Sequence, residues 1–298
     1  MSDSPGSARR PYPPDPHDPR PHRILLRVPD AHSKHPVKTW IPPERFLPYL
    51  TWKQVDALPR DRTLLVLPTA AIEQHGHHLP LATDTLINNL LLGHALQKLP
   101  KELPVFALAP VHYGKSNEHV GYPGTLSLHR DTFIAVLRDL GRSIQAAGFQ
   151  RLVFFNSHGG NHSLIDVMAR DLRDELGLRT FCLYGGGPAE GVNPQEAAYG
   201  FHAGEVETAL LLAGTPELVH TDHYTSNYIA RVGDPGLLKP EFASATFSWL
   251  TRDIAPSGVM GDPAPATAEN GWRWCNAMSD RIARALIEMH EFREILDR

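Results

Sequence analysis

Residues 152–183 read LVFFNSHGGNHSLIDVMARDLRDELGLRTFCL, and the order of periods within them decides the fold class. Leu152-Val153-Phe154-Phe155 is a short run that is apolar at every position, the pattern of a strand covered on both faces. From His162 to Leu176 the apolar residues Leu164, Ile165, Val167, Met168 and Leu172 follow helical spacing. Thr180-Phe181-Cys182-Leu183 is a second short apolar run. Strand, helix and strand in this order imply a parallel sheet covered by helices on both faces.

The same alternation extends outward in both directions. Leu64–Leu67 and Val105–Leu108 are further strand candidates, while Asp84–Leu99 and Arg130–Ala147 are helical candidates. Another helix is expected to start near Gly204 and run through Ala209–Ala213, and Glu269–Leu296 reads as a closing helix. Between about 220 and 266 the periodicity fades into a Pro/Gly-containing region. Residues 1–37 are rich in proline, charge and histidine, and are expected to form an arm outside a single domain spanning 38–298.

Composition narrows the classes. The chain has 298 residues, 42% of them hydrophobic, with a net charge of −4. That length can bury a sizeable core, and the charge argues against a protein that coats nucleic acid. Two cysteines, Cys182 and Cys275, allow neither a disulfide framework nor a cysteine-based zinc knuckle, which suggests a reducing, cytoplasmic setting. No apolar run reaches the roughly 18 residues of a membrane span. The expected partner is a small molecule rather than a nucleic acid or a membrane. Of the 17 histidines, ten fall between positions 75 and 202.

In parallel sheets, chemistry gathers in the crevice beyond the carboxyl ends of the strands. Each candidate strand here runs into such a loop. Glu73, His75, His77, His78 and Asp84 follow the first, and Ser116, Asn117, Glu118 and His119 the second. His158-Gly159-Gly160-Asn161 follows the third, and His202-Ala203-Gly204-Glu205-Val206-Glu207 lies beyond the fourth. Glu73 and His75, two apart in an extended loop, point the same way, and Asp84 at a helix start can aim back at them. Carboxylate and imidazole ligands without thiolates suit Zn²⁺, Mn²⁺ or Fe²⁺, and a bridging carboxylate suits a two-metal hydrolytic centre. Taken singly, each histidine is as well explained as a hydrogen-bonded loop residue. Glu205 and Glu207 suit a helix N-terminus, and Gly159-Gly160-Asn161 suits a tight turn or a phosphate cradle. Four such loops at successive strand ends point to a metal site.

These motifs, in this order and spacing, resemble the creatininase (creatinine amidohydrolase) family over roughly 52–216. The segments that carry the resemblance are Glu73 to Asp84, Ser116 to Leu128, Asn156 to Asn161 and His202 to Thr208. The resemblance implies a three-layer α/β/α fold with a mostly parallel central sheet and a homo-oligomer, commonly a hexamer. It further implies a hydrolase with two divalent metal ions per subunit, acting on C–N bonds other than peptide bonds in cyclic amides or formamides. Carried over, Glu73 and His158 bind one ion, His75 the other, and Asp84 bridges, with His202 the proton donor to the leaving nitrogen. Ser116, Asn117, Glu118 and His119 line the substrate side.

One position departs from the resembled family. Creatininase proper carries a metal-binding glutamate two residues after the histidine matched by His158, and here that position is Gly160. Glu205 or Glu207 must then supply the missing carboxylate. Two residues apart on a helix diverge by about 200°, so both cannot face one ion. Glu205 is assigned as the ligand and Glu207 as the base or the residue orienting His202, the reverse assignment staying open. The segment 184–201 carries tryptophans in creatininase and none here, which argues against creatinine itself. Two rival readings remain. One is metal-dependent hydrolysis of a non-amide ring such as a cyclic sugar ketone or ester. The other is a non-catalytic ligand-binding protein on the same fold.

Overall fold

The computed structural model describes residues 40–185, 189–229, 237–241 and 243–293. The expected N-terminal arm lies outside them. In chain order the elements are α1 (Trp52–Asp56), β1 (Leu64–Thr69), α2 (Thr83–Gln97), β2 (Val105–Ala107), α3 (Arg130–Ala146), β3 (Arg151–Asn156) and α4 (His162–Leu176). They continue with β4 (Arg179–Tyr184), α5 (Pro194–Tyr199), α6 (Glu205–Gly214), β5 (Leu238–Lys239), β6 (Ala245–Thr246), α7 (Thr251–Ile254) and α8 (Ala268–Glu291).

The central sheet runs β2-β1-β3-β4, with every pair parallel. Its register puts Thr69, Asn156 and Tyr184 side by side at the carboxyl end. Period-2 alternation sorts the apolar strand residues between two cores. Leu64, Val66, Val105, Val153 and Phe155 pack against α2, α6 and α8. Leu65, Leu67, Leu152 and Phe154 pack against Phe133 and Leu137 of α3 and Ile165, Met168 and Leu172 of α4. The result is three layers, α/β/α, as the strand–helix alternation implies.

The helices differ in how many sides they bury. α3 and α4 each show one apolar stripe at i, i+3 and i+4 spacing, because water covers their outer face. Between the sheet and α8, α2 buries Ile87, Leu90, Leu91, Leu92, Ala95 and Leu96 almost all round. Each fully buried leucine of this kind contributes about 1.5–3 kcal/mol relative to exposure. α6 and α8 cross closely at Gly271, where a side chain would run into the carbonyl oxygen of Ala209.

α8 stops earlier than the apolar pattern suggests. Phe292 leaves helical geometry, with φ −58° and ψ 126°. The buried Arg151 guanidinium donates to the free carbonyls of His290 (2.7 Å) and Met289 (3.3 Å), ending the helix against the start of β3. Among the described residues, no helix is long and apolar enough to cross a membrane.

Candidate metal centre

The loop after β1 is built around Gly76, whose φ of +66° is the left-handed turn that a glycine permits at little cost. The turn keeps Glu73 and His75 on one side. His75 donates Nδ1–H to the backbone oxygen of Glu73 at 3.1 Å, so its Nε2 faces inward. Asp84 sits in the first turn of α2, buried, with its carboxylate aimed back under the same loop.

From the end of β3, Asn156 and Asn161 shape the second ligand loop. Thr69 donates Oγ1–H to Asn156 Oδ1 at 3.0 Å, and Asn156 donates Nδ2–H to the backbone oxygen of His158 at 2.6 Å. Asn161 ties the same loop back to Ala70 O at 3.1 Å. His158 donates Nε2–H to Lys115 O at 3.0 Å, which turns its Nδ1 towards the carboxylates.

Asp84 stands between the two imidazoles. Its Oδ1 lies 3.3 Å from His75 Nε2 and its Oδ2 lies 3.2 Å from His158 Nδ1. Glu73 Oε1 is 3.4 Å from His158 Nδ1 and 3.9 Å from His75 Nε2. Glu207 Oε2 is 3.8 Å from His75 Nε2. Ligand atoms of His75, Asp84 and Glu207 lie within 4.8 Å of one another, as do those of Glu73, Glu118 and His158, and of Glu73, His75 and His202.

Two atoms at the centre, His75 Nε2 and Asp84 Oδ2, are buried without a hydrogen-bond partner. Unmatched buried polar atoms are costly, and two within one carboxylate–imidazole cluster are what a bound cation would satisfy. The donor set also fits a divalent ion of the zinc or manganese kind. The residues present therefore fit the implied metal.

The two candidate glutamates part company here. Glu207, three residues past the N-cap Gly204, folds its carboxylate back to accept the Ala203 N–H at 2.6 Å and so faces His75 and Asp84. Glu205 begins α6 on the other side and is buried near Glu196 and Asp262, outside every ligand group among the described residues. The structure thus brings Glu207 to the cluster and not Glu205, opposite to the preferred sequence reading. The reason is the roughly 200° between them once the helix begins at 205. Gly160 has no room for the glutamate of creatininase proper: a Cβ there would lie 2.5 Å from Glu118 Oε1 and 2.6 Å from His158 Nε2.

The remaining expected residues divide. Asn117, Glu118 and His119 line a cleft of about 390 Å³ that opens on Glu73, His158 and His202. Ser116 is fully buried beneath it and donates its hydroxyl to Glu73 Oε2, holding a ligand rather than facing substrate. His77 is exposed, whereas His78 is buried and shares a hydrogen bond of 3.0 Å with Thr208, tying the Glu73 loop to α6.

Residues from the aperiodic stretch complete the site and carried no sequence signal. Phe247, Trp249, Pro240 and Glu241 form the far wall of the cleft. Trp249 meets His119 edge-on at 6.0 Å and donates Nε1–H to Glu241 at 2.9 Å. Gln74, between two ligands, is the other omission. Its Oε1 accepts Gly76 N–H at 2.9 Å, which orients the amide so that Nε2 donates to Gly258 O at 3.1 Å and His119 Nδ1 at 2.8 Å.

Charge is unevenly distributed in the metal-free cluster. Burial opposes ionisation of Glu73, yet the imidazoles of His158 and His119 hold its carboxyl well below the usual range. Burial likewise opposes a proton on His75, but Asp84, Glu207 and Glu73 outweigh it and push His75 up to about 9. His158 is also held above its ordinary range, Glu73 and Asp84 overcoming burial. Burial, with Asp84 and Glu73 nearby, pushes Glu207 up to about 7. His119 goes the other way, down to about 4 through burial and the neighbouring His75 and His158. Burial, His119 and His75 hold His202 well below its ordinary range.

Known proteins resemble this chain in sequence and in fold. The family profile described as creatinine amidohydrolase (creatininase) matches residues 48–286. A mycofactocin precursor peptide peptidase of Mycobacterium ulcerans is 36% identical over 76% of this chain and 87% of its own. A creatinine amidohydrolase of Pseudomonas putida is 31% identical over 74% of this chain and 85% of its own. The solved manganese form of creatininase superposes with a TM-score of 0.64 at 25% identity, covering 82% of this chain and 98% of that one. The expected restriction to bonds other than peptide bonds finds no support among these relatives, since one is named for acting on a peptide.

Proposed function

The chain belongs to the creatininase family of hydrolases, and from that premise we propose that it is a binuclear metal-dependent amidohydrolase whose substrate is a peptide-like amide. The observation that carries the reading is the placement of Asp84, one oxygen towards His75 and the other towards His158, the latter a residue that lines the cleft. Glu73 and His158 would hold one ion, His75 and Glu207 the other, with Asp84 shared. Bound there, a divalent pair supplies Lewis acidity, polarising a carbonyl and making water more acidic.

The chain's own residues handle the protons. His202 donates Nε2–H to Gln74 O at 2.8 Å, leaving its Nδ1 lone pair directed at the cluster, 3.7 Å from Glu73 Oε1. Held neutral, it is placed to accept a proton from the attacking water and return it to the departing nitrogen. His119 is wired the opposite way. Its Nδ1 accepts from Gln74 Nε2–H and from Thr251 Oγ1–H, each at 2.8 Å, so the proton resides on Nε2. That N–H, at the cleft wall, can donate to the oxygen of the amide as charge develops there. The His75, His202 and His119 rings stack with centroids 4.3 and 4.2 Å apart, which fixes both orientations.

The volume of the cleft admits a short peptide segment. Pockets of about 300–1,000 Å³ suit drug-sized ligands, and the cleft, at about 390 Å³, falls within that range. Asn117 and Glu118 on one side and Phe247 and Trp249 on the other offer polar and aromatic contacts. The second reading, a cyclic amide, draws on the relative named creatinine amidohydrolase. A homo-oligomer in a reducing compartment belongs to the same proposal, and sedimentation of the purified chain measures the assembly.

The test is elemental analysis together with mass spectrometry of products from a panel of short peptides, creatinine-like rings and cyclic sugar ketones. Divalent metal, peptide cleavage and loss of both in Asp84→Asn are expected. Full activity in Asp84→Asn, or a purified chain that takes up no divalent metal, would overturn the reading.

A further inference from the structure

Glu196 is buried, on the short helix α5, and lies outside the ligand cluster and the substrate cleft. Three donors converge on its carboxylate from three separate segments. Glu205 N–H at the start of α6 reaches Oε1 at 2.8 Å. Tyr228 O–H reaches Oε2 at 2.7 Å, and Asp262 N–H reaches the same oxygen at 2.9 Å. Glycines surround the carboxylate at 200, 204 and 261, and a Cβ on any of them would collide with it.

A buried carboxylate loses several kcal/mol of hydration and is retained only where donors replace the water. What these donors join is informative. Asp262 follows the strand-like Met260–Gly261 stretch, which pairs with His202 through Met260 N–H to His202 O at 2.9 Å and His202 N–H to Met260 O at 3.1 Å. Gly261 pairs in turn with Asn227, next to Tyr228. Glu205 opens the helix turn that carries Glu207. Between the two runs Ala203, a non-glycine residue at φ +55°, whose N–H orients Glu207. That backbone state is uncommon for a residue with a Cβ and persists where surrounding contacts impose it.

We propose that Glu196 is a positioning residue for the metal centre, clamping the first turn of α6 to Tyr228 and to the 260–262 stretch so that Glu207 and His202 face Asp84 and Glu73. The inference rests on the reading of Glu207 as a ligand of the second ion. A carboxylate is suited to the task because it only accepts. An amide at the same position turns N–H groups towards at least one backbone N–H, of Glu205 or Asp262, which cannot accept. The link to the helix or the link to the segment is then broken.

The test uses the full chain with Mn²⁺ as probe and compares the unsubstituted protein with Glu196→Gln and Tyr228→Phe. Circular dichroism reports folding, titration calorimetry the two ion affinities, and steady-state kinetics kcat and KM on the best peptide of the panel. In Glu196→Gln the tighter ion stays within about threefold, the second ion weakens at least tenfold, and kcat falls by a similar factor with KM nearly unchanged, a fall of about 1.4 kcal/mol or more per tenfold. Tyr228→Phe, which removes one donor, weakens the second ion about two- to fivefold. A merely structural loss would lower both ions together. A folded Glu196→Gln that binds both ions as the unsubstituted chain does overturns the proposal. Should Glu196→Gln fail to fold, Tyr228→Phe with unchanged second-ion affinity overturns it. An unsubstituted chain that takes up no second ion overturns the binuclear reading itself, a result visible before any variant is compared.

Discussion

Replacing Gly160 with alanine isolates the position at which this chain departs from creatininase proper. The added Cβ would lie 2.5 Å from Glu118 Oε1, 2.6 Å from His158 Nε2 and closer still to the backbone oxygen of Lys115. Glu118 ends a flexible side chain and can swing aside. The Lys115 oxygen cannot move freely, because it accepts the 3.0 Å hydrogen bond that sets the orientation of His158. Relief therefore shifts either the 159–161 turn or the Lys115 carbonyl, and both release His158. Overpacking of this kind costs about 1–3 kcal/mol, and the lost hydrogen bond about 0.5–1.5 kcal/mol. A combined loss of about 1.5–4.5 kcal/mol lowers Tm by roughly 3–18 °C at about 2–4 °C per kcal/mol. Gly159→Ala is the matched control, since a Cβ there meets nothing within 4 Å, and it should stay within about 0.5 kcal/mol of the unsubstituted chain. Thermal melts with and without Mn²⁺, alongside metal content, measure both variants. If Gly160→Ala melts with Gly159→Ala and binds metal equally, the idea that a glycine is required beneath His158 is refuted.

Other outcomes follow from the same geometry. Thr251→Val keeps the volume of a fully buried side chain but removes one of two donors on His119 Nδ1. It should cost about 1 kcal/mol of stability and lower kcat about tenfold, the low end of general acid–base effects, with KM little changed. An unaltered kcat would remove His119 from the chemistry. Metal binding should release protons and tighten as pH rises towards 9, because His75, pushed up to about 9, must lose its proton to act as a ligand. The sign for the metal-free chain follows. A raised histidine stabilises it fully below its ordinary pKa of 6.5, and this is lost as pH climbs through about 9. Glu207, pushed up to about 7, adds a loss between its ordinary 4.5 and that pH. Calorimetry in two buffers of different ionisation enthalpy reads the proton release, and identical heats in both would contradict it. Gly271→Ala should cost about 1–3 kcal/mol by forcing α8 off α6. Urea unfolding within 0.5 kcal/mol of the unsubstituted chain would show that the helices can separate freely.

Local patterns made the layers and most of the ligand loops legible. Each strand of the sheet is a short apolar run, since both its faces are covered, and α3 and α4 show a stripe because only one of theirs is. Glu73, His75, Asp84 and His158 are legible as candidate ligands because each lies at a strand end or helix start, where chain direction alone aims it into the crevice. Gln74, between two candidate ligands, carries no such mark, because an amide gives no sequence sign of which imidazole it will reach. The stretch from 220 to 266 has no period to read, and several of its described residues are held by partners distant in sequence: Tyr228 by Glu196, Thr251 by His119, Gly258 by Gln74.

The sequence by itself determined the alternation of strand and helix, the family, and the set of carboxylates and imidazoles that share the crevice. Only the tertiary structure showed that Glu207 rather than Glu205 faces the cluster, and which partners each imidazole nitrogen meets. Which glutamate faces the cluster depends on where the first turn of α6 begins, and on the Ala203 N–H that the Glu207 carboxylate accepts. The proton positions depend on which donors and acceptors surround each ring. Both are relations between segments that meet in space while lying tens of residues apart along the chain.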